Sequence, residues 1–113
     1  MLMLMGPHTA LGNIPRSIEY NVEWVTRLIK HMRTRNLTRV EARPESVDAW
    51  TDYVKAKGEG LLSNEVDSWM TGINSNVAGK QRRVIARYSG SAPDYRARGD
   101  QVAAGGYREL SLS

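Results

Sequence analysis

The sequence predicts an α/β segment that is not a complete domain, and three observations support this. Apolar residues recur at three- and four-residue spacing between residues 15 and 35, which predicts an amphipathic helix. A short apolar run at residues 2–5 predicts a buried strand, yet no second strand lies nearby to pair with it. The 113 residues suffice for one small domain but not for two dinucleotide-binding domains. We therefore expect a chain that begins in the middle of a domain.

The first predicted helix has clear start and stop signals. Asn13 is a suitable N-cap, and Pro15 is tolerated in the first turn, where N–H groups have no helical partner. Lys30 complements the helix dipole near the far end, and Asn36 can stop the helix. These signals place the helix at about residues 15–35.

A second strand and a second helix follow in the sequence. Residues 38–42 predict a short strand. Pro44 then opens a helix at about residues 44–57, with Glu45 in the first turn, where a negative charge is favourable. Gly58 marks the end of this helix.

The last part of the chain predicts a long connection and a strand–helix–strand unit. Residues 61–80 contain Gly, Asn and Ser, and a connection of this length is usually functional or disordered. Residues 82–88 alternate in character as a strand does. A helix is predicted at 93–104, capped by Gly105-Gly106, and a final strand at 107–112.

The composition is that of a globular protein, with 41% hydrophobic and 25% charged residues. The absence of Cys excludes disulfides, thiolate metal ligands and Cys nucleophiles, and fits a reducing compartment. His8 and His31 lie far apart, so no metal site is predicted. The apolar start, Met1 to Met5, is far too short to span a membrane, so we expect a soluble, cytoplasmic protein.

Trp69 lies in the most informative stretch of the sequence. Its neighbours are polar and are followed by Gly and Asn, a composition typical of a loop. An exposed loop Trp suits ligand contact, because its indole combines a large apolar face with one N–H donor. The alternative is a Trp that folds back over a nearby core. The residues by themselves leave both interpretations open.

Several short motifs follow one another in an order that resembles a known family. In chain order they are Gly6-Pro7-His8-Thr9, Asn13, Ser17-Ile18-Glu19, Val22-Glu23-Trp24, Asp67-Ser68-Trp69, Gly72, Asn74, Gly79-Lys80, Tyr88-Ser89-Gly90, Tyr95-Arg96 and Val102-Ala103-Ala104-Gly105-Gly106-Tyr107. No single motif is specific, but the series is similar to the C-terminal part of Baeyer–Villiger-type (class B) flavin-containing monooxygenases. The similarity covers nearly all 113 residues.

The resemblance implies that the chain is an incomplete fragment of a flavoprotein with two dinucleotide-binding domains. Residues 1–113 would be a single segment from the C-terminal part of the FAD-binding region. Its parts would be a strand and flavin-side loop at 1–14, a helical part at 15–60, a mobile NADP-side loop at 61–80 and a terminal strand–helix–strand unit at 81–113. Carried over by position, the site residues are Asn13 and Ile14 for FAD, Trp69 for NADP, and Thr9, Ala10 and Leu11 for the substrate pocket.

The resemblance also implies an activity for the intact enzyme. It would use NADPH to reduce FAD and would insert one oxygen atom from O2 into a ketone or related small molecule. The chain has no GxGxxG turn to hold a dinucleotide phosphate. We therefore expect it to require N-terminal dinucleotide-binding domains as partners and to be inactive alone. No catalytic residue is predicted within it.

Two alternatives from other function classes remain open. Lys80, Arg82, Arg83 and Arg87 form a basic cluster, and the net charge is +4, so a free-standing basic binding module is one of them. No aromatic residue interleaves this cluster, so a solvated strand face is expected and no nucleic-acid partner is predicted. The other alternative is a non-catalytic remnant with an exposed strand edge at 2–5.

Overall fold

The computed structural model of the chain describes residues 1–9, 12–62, 65–67, 71–74, 76–79, 82–84 and 87–113. Three helices and two short strands lie within these residues. In chain order they are α1 (Ile14–Thr34), β1 (Val40–Ala42), α2 (Pro44–Gly58), α3 (Ala92–Ala104) and β2 (Leu110–Leu112). The helices predicted at 15–35, 44–57 and 93–104 are thereby confirmed, each boundary to within one residue.

The start of α1 is capped as the sequence predicts. Asn13 is extended, and its side-chain oxygen accepts a hydrogen bond from the Arg16 N–H at 3.1 Å. Its carbonyl accepts the Ser17 N–H at 3.0 Å. Asn13 thus satisfies two of the first N–H groups of the helix, and Pro15 has no N–H to satisfy. After the helix, Asn36 has a φ of 54°, a left-handed conformation that Asn tolerates.

The other two helices differ in how they begin. Arg43 precedes α2 and makes no side-chain cap bond, so the first turn is marked by Pro44 and by the negative charge of Glu45. Before α3, the Ser91 hydroxyl accepts the Asp94 N–H at 3.2 Å. A Ser cap of this kind stabilises a helix by about 1 kcal/mol relative to Ala. The start of α3 is therefore fixed more firmly than that of α2.

The two strands hold the end of the chain against the segment between α1 and α2. They are antiparallel, and the N–H groups of Thr38 and Arg39 extend the pairing, since both donate to the Ser113 carbonyl at 2.7 Å. The register pairs Val40 with Leu112, Glu41 with Ser111 and Ala42 with Leu110.

One core cluster lies between α1, α3 and the strand pair. Its buried members are Leu28, Met32 and Tyr107, with exposed fractions of 0%, 8% and 4%, and we call it the Leu28 cluster. The Trp24 indole N–H donates to the Gly99 carbonyl at 2.7 Å and so ties α1 to α3 beside this cluster. The partly buried side chains that pack against it are Trp24, Leu37, Val40, Val102, Ala103, Leu110 and Leu112.

A second cluster lies between α2, α3 and residue 88. Its buried members are Val54 and Tyr88, with exposed fractions of 0% and 2%. Trp50, Tyr53 and Tyr95 pack against them, and we call the five residues the Tyr88 cluster. The rings of Trp50 and Tyr88 stack with their centroids 5.5 Å apart. The chain has no Phe, so its aromatic packing comes from rings that carry a polar group.

The strand predicted at 2–5 is wrong. Residues 1–3 have no regular structure, and residues 4 and 5 form a turn in which Met5 has a φ of 53°. Among the described residues no strand pairs with this run. A strand without a neighbour leaves its N–H and C=O groups without partners, so the extended form has nothing to stabilise it. Leu2 and Leu4 are 41% and 45% exposed, so the run is not buried either.

The other strand predictions have mixed outcomes. The strand at 38–42 is confirmed as β1 and the strand at 107–112 as β2, both shorter than predicted. The strand at 82–88 is wrong for residues 82–84 and 87, which are irregular; residues 85 and 86 lie outside the described part. The physical reason is that the Val84 N–H donates to the Thr71 carbonyl at 2.7 Å, in the preceding loop and not in a sheet.

Candidate functional site

The start of α1 is the position at which the sequence resemblance puts FAD. Asn13 caps the helix with its side-chain oxygen and its carbonyl, which leaves its side-chain NH2 group for other contacts. The Ile14 residue is 51% exposed. The first turn contains Arg16 and no acidic residue, so the helix dipole and this cation together give the end of α1 a positive potential. Such an end suits an anionic or electron-rich group.

Thr9, predicted for the substrate pocket, is half-buried and held at two points. Its hydroxyl donates to the Gly6 carbonyl at 2.7 Å. Its own carbonyl accepts the Tyr88 N–H at 3.2 Å. Both bonds act on Thr9, the first of the predicted pocket residues, so Tyr88, which is distant in the chain, positions this residue.

Tyr88 is in turn held by the carboxylate of Asp94. The Tyr88 hydroxyl donates to Asp94 Oδ2, and the Tyr53 hydroxyl donates to the same oxygen at 2.5 Å. Lys57 Nζ lies 4.0 Å from that oxygen, and the Arg98 guanidinium lies 3.6 Å from the centre of the Tyr53 ring. Asp94 therefore joins α2, α3 and the segment that carries Tyr88.

These hydrogen bonds shift the pKa values of both partners. The bonds from Tyr53 and then Tyr88 are the largest causes of a lowered pKa for Asp94, and Lys57 contributes less. An acceptor of two O–H groups is more stable as the charged carboxylate. Burial raises the pKa of the Tyr88 hydroxyl, and its bond to Asp94 raises that pKa further. At neutral pH the pair is therefore a charged acceptor and a neutral donor.

Asn21 connects the N-terminal segment to α3. Its Nδ2 donates to the Ser17 carbonyl at 2.8 Å and lies 3.4 Å from Met5 Sδ. Its Oδ1 accepts the Tyr95 hydroxyl at 3.1 Å. Tyr95 belongs to the Tyr88 cluster, so this one cluster anchors the N-terminal segment both at Met5 and at Thr9.

The sequence does not predict the positioning roles of Asn21, Tyr88 and Asp94. Tyr88 appears in the sequence only as part of a motif, and Asp94 has no predicted role. One usable signal is the composition, since five Tyr and no Phe mean that buried rings bring hydroxyl groups with them. Buried hydroxyl groups require hydrogen-bond partners, and a carboxylate near a Tyr in the sequence is a candidate.

The described residues of the predicted NADP-side loop at 61–80 form hydrogen bonds with one another and with the segment that follows. Thr71 is 1% exposed, and its hydroxyl donates to the Val66 carbonyl at 3.0 Å. The carbonyl of Thr71 accepts the Val84 N–H. Gly72 has a φ of 74°, and a Cβ there would overlap the Val84 side chain, so this position requires glycine. The described part of the loop is thus pinned at both sides of residue 69.

Three predicted site residues lie outside the described residues: Ala10, Leu11 and Trp69. Their assignments stay predictions, as does the mobility of the loop. Lys80 of the basic cluster also lies outside, whereas Arg83 forms an ion pair with Asp67.

The groove between α1 and α3 is polar, and several of its side chains pair with one another. Arg27 forms an ion pair with Asp100 at 3.0 Å. The Tyr20 hydroxyl lies 2.8 Å from the Arg96 carbonyl and 3.1 Å from Asp100 Oδ1. The described side chains include no group of three or more His, Cys, Asp or Glu able to hold a metal ion. No helix in the described part of the chain combines the length and hydrophobicity that a membrane crossing needs.

Comparison with known proteins decides the family. No protein-family model matches the chain. The acetone monooxygenase (methyl acetate-forming) of Gordonia sp. (strain TY-5) is 33% identical over 96% of this chain and 20% of its own length. A Baeyer-Villiger monooxygenase of Pseudooceanicola batsensis is 32% identical over 96% of this chain and 19% of its own length. The structure of cyclohexanone monooxygenase from Rhodococcus sp. Phi1 bound to NADP+ matches with a TM-score of 0.88 and 31% identity, over 98% of this chain and 20% of that chain.

The chain belongs to the Baeyer–Villiger-type flavin monooxygenases. The resemblance predicted from short motifs is confirmed over nearly the whole chain. The chain spans about one fifth of the length of the relatives it matches. The TM-score shows that its arrangement of helices and strands is also that of one segment in the solved enzyme.

Proposed function

We propose that the chain forms the C-terminal part of an NADPH- and FAD-dependent monooxygenase that inserts one oxygen atom from O2 into a ketone or related small molecule. The observation that carries the proposal is its match, along 98% of its length, to a segment of the NADP+-bound cyclohexanone monooxygenase. The chain would supply one wall of the flavin site and the loop that closes over NADP. The dinucleotide-binding domains of the intact protein would be its partners, and its cytoplasmic location stays a prediction.

The start of α1 fits the edge of a flavin ring. FAD supplies the redox and oxygen chemistry when it is bound. Ile14 would offer an apolar contact to the ring, and Asn13 would offer its free NH2 group. The positive end of the helix would stabilise negative charge on the ring. Because Asn13 also caps the helix, one residue would fix the helix start and the ligand contact together.

The loop that contains Thr9 fits a substrate pocket wall because its backbone is fixed. Its carbonyl is bonded to Tyr88, whose ring and hydroxyl are held by the Tyr88 cluster and Asp94. A site works best when its contacting groups are held by packing and by supporting hydrogen bonds. Thr9 would then present its side chain to the substrate from a backbone held at a fixed position, and the resemblance adds Ala10 and Leu11 to the same pocket.

A chimeric enzyme tests the proposal. The matched fifth of the Rhodococcus cyclohexanone monooxygenase is replaced by this chain, and the same enzyme without that segment is the control. We expect the chimera to retain FAD through gel filtration and to oxidise NADPH faster when cyclohexanone is added, whereas the control does neither. A chimera that folds but retains no FAD and oxidises no NADPH contradicts the proposal.

The isolated chain distinguishes the proposal from its alternatives. It should purify without flavin colour, since it has no Gly-rich turn for a pyrophosphate. Nucleic acid that co-purifies with it and is released steeply by salt would favour the basic binding module. A chain that carries no ligand and also fails to restore FAD binding in the chimera would favour the non-catalytic remnant.

The role of Trp69 is tested in the same chimera. We expect Trp69→Ala to raise the KM for NADPH about 2- to 10-fold, which corresponds to one lost hydrogen bond of roughly 0.5–1.5 kcal/mol, and to leave the FAD content unchanged. More hydrogen peroxide should be released, because a closing loop excludes water from the flavin. Trp69→Phe keeps a ring and should fall between. If Trp69→Ala instead unfolds much of the chimera, while the enzyme that remains folded has normal NADPH kinetics, then Trp69 is a core residue and does not contact NADP.

A further inference from the structure

Residues 5–9 include two residues in a conformation that non-glycine residues rarely adopt. Met5 has a φ of 53° and His8 has a φ of 61°, both in the left-handed region. A non-glycine residue stays in that region only when its surroundings hold it there. The segment ends at Thr9, the first of the predicted pocket residues, so the contacts that hold the segment also determine where this wall of the pocket lies.

The end of the segment at Met5 is held from α3 through one side chain of α1. Asn21 Nδ2 lies 3.4 Å from Met5 Sδ. The other side-chain atom, Asn21 Oδ1, accepts the Tyr95 hydroxyl at 3.1 Å. Tyr95 lies in the first turn of α3, so this turn is connected to one end of the segment.

The end of the segment at Thr9 is held from the same turn of α3. The Thr9 carbonyl accepts the Tyr88 N–H at 3.2 Å. The Tyr88 hydroxyl donates in turn to the carboxylate of Asp94. Asp94 and Tyr95 are adjacent in the chain, so one turn of α3 is connected to both ends of the segment.

The Tyr88 side chain links the carboxylate to the backbone with little freedom. Trp50 stacks on its ring with the centroids 5.5 Å apart. The ring also lies so close to Gly90 that a Cβ there would overlap the Tyr88 hydroxyl. Two rotatable bonds separate a tyrosine ring from its backbone. A carboxylate that fixes the hydroxyl therefore also restricts the N–H group that is bonded to Thr9.

Asp94 suits this role because it is a charged acceptor. Its Oδ2 accepts the hydroxyl groups of both Tyr88 and Tyr53, and Lys57 Nζ lies 4.0 Å from the same atom. Hydrogen bonds to a charged acceptor are stronger than bonds between neutral groups. An Asn at this position could accept the same bonds only as a neutral, weaker acceptor.

We propose that Asp94 is a positioning residue that determines, through Tyr88, which ketones the intact enzyme accepts. This proposal rests on the proposed function and adds a residue for substrate selection that acts on the pocket through other residues. The flavin contacts predicted at the start of α1 are held separately, because Asn13 is bonded to Arg16 and Ser17. Loss of the Asp94 charge should therefore move the pocket wall and leave the FAD site in place.

The test compares two variants that each remove one hydroxyl group from Asp94 and keep the ring. Tyr88→Phe removes the hydroxyl of the residue that is bonded to Thr9. Tyr53→Phe is the matched control, since it removes the hydroxyl that α2 donates to the same oxygen and leaves the bond between Tyr88 and Thr9 in place. Asp94→Asn removes the charge on which both bonds depend.

Hydrogen exchange of the Tyr88 amide, followed by NMR in the isolated chain, measures the bond to Thr9 directly. We expect this amide to exchange about 2- to 10-fold faster in Asp94→Asn and Tyr88→Phe, because its bond opens more often. It should exchange at the parent rate in Tyr53→Phe. Amides in the centre of α1 should keep the parent rate in all three variants, which shows that the fold is retained.

The substrate preference is measured in the chimera as the ratio of kcat/KM for cyclohexanone to kcat/KM for acetone, two ketones of different size. We expect Asp94→Asn and Tyr88→Phe to change this ratio by about threefold or more, mainly through a higher KM for cyclohexanone. Their combination should change the ratio no more than either single variant, because both act through one bond. FAD content and the KM for NADPH should keep the parent values, and Tyr53→Phe should keep the parent ratio.

Four outcomes would overturn the proposal. A ratio that Tyr53→Phe changes as much as Tyr88→Phe does would mean that the hydroxyl groups act only through general packing. Equal acceleration of the Tyr88 and α1 amides would mean that Asp94 stabilises the whole chain. An Asp94→Asn chimera with the parent ratio, when the parent chimera retains FAD and oxidises NADPH, would leave the proposed function standing alone. A parent chimera that retains no FAD would overturn the proposed function, and the selection role of Asp94 with it.

Discussion

The Leu28 cluster and the Tyr88 cluster stabilise the chain in different ways. The Leu28 cluster is built from Leu28, Met32 and Tyr107, and the side chains around it are largely aliphatic. The Tyr88 cluster is built from stacked rings, and two of its hydroxyl groups meet on a single carboxylate, that of Asp94. The first cluster depends on shape and burial, whereas the second also depends on hydrogen bonds and charge.

This difference matters because, among the residues that the structure describes, it is the Tyr88 cluster that is bonded to the predicted site. Tyr88 donates to the Thr9 carbonyl, and Tyr95 donates to Asn21, which contacts Met5. The Leu28 cluster holds the helices and strands together, while the Tyr88 cluster holds the loop that would line the pocket. Damage to the first should unfold the chain, and damage to the second should loosen the site before the fold is lost.

The largest expected effect is that of Leu28→Ala. Leu28 is fully buried, and Leu→Ala changes at such positions cost about 2–5 kcal/mol. The free energy of unfolding of a small domain is itself only a few kcal/mol. We therefore expect the variant of the isolated chain to show no cooperative unfolding transition when Trp fluorescence is measured against urea concentration. The neighbouring Ile29→Ala, at a position 43% exposed, should change stability by less than about 0.5 kcal/mol. Similar effects of the two changes would show that the Leu28 cluster is not the core.

A smaller effect is expected for Gly99→Ala, which tests the seam between α1 and α3. A Cβ at Gly99 would overlap the Tyr20 hydroxyl, which is held by the Arg96 carbonyl and Asp100. Overpacking of this kind costs about 1–3 kcal/mol, and the better helix propensity of Ala returns about 1 kcal/mol. We expect a net loss of about 1 kcal/mol in urea unfolding.

The matching double variant shows whether the clash is the cause. Tyr20→Phe removes the hydroxyl that the new Cβ would meet. The loss in Gly99→Ala combined with Tyr20→Phe should therefore be smaller than the sum of the two single losses. Strict additivity would mean that Gly99 and Tyr20 do not compete for the same space.

The smallest expected effect is the acid response of the Tyr88 cluster. The pKa of Asp94 is lowered in the fold by its bonds from Tyr53 and Tyr88, relative to the ordinary value of 3.8. A lowered carboxyl pKa stabilises the fold above the ordinary value, and this stabilisation is lost as the pH falls through the lowered value. We expect the near-UV circular dichroism of the parent chain to decline below about pH 4, and Asp94→Asn to make that decline shallower. An acid transition of unchanged steepness in Asp94→Asn would remove Asp94 as its cause.

The positions of the helices were determined by the sequence alone. Asn13, Pro15 and Asn36 act within a few residues of the ends of α1, and the apolar spacing inside it follows the turn of the helix. The bonds that make a helix join residues four apart, so everything they need is local in the chain. The family resemblance was readable for a similar reason, since it depends on the order of motifs and not on their contacts.

The strands and the supporting network were decided only by the tertiary structure. Residues 2–5 have the composition of a buried strand, but a strand exists only where another strand pairs with it, and none of the described ones does. The link from Asp94 through Tyr88 to Thr9 joins residues from opposite ends of the chain, and no local pattern encodes such a convergence. The tertiary structure also decided which apolar residues of α1 are buried and which are exposed. The helical period predicts that they share a side of the helix, but only the packing of α3 shows which of them it covers and which it leaves exposed.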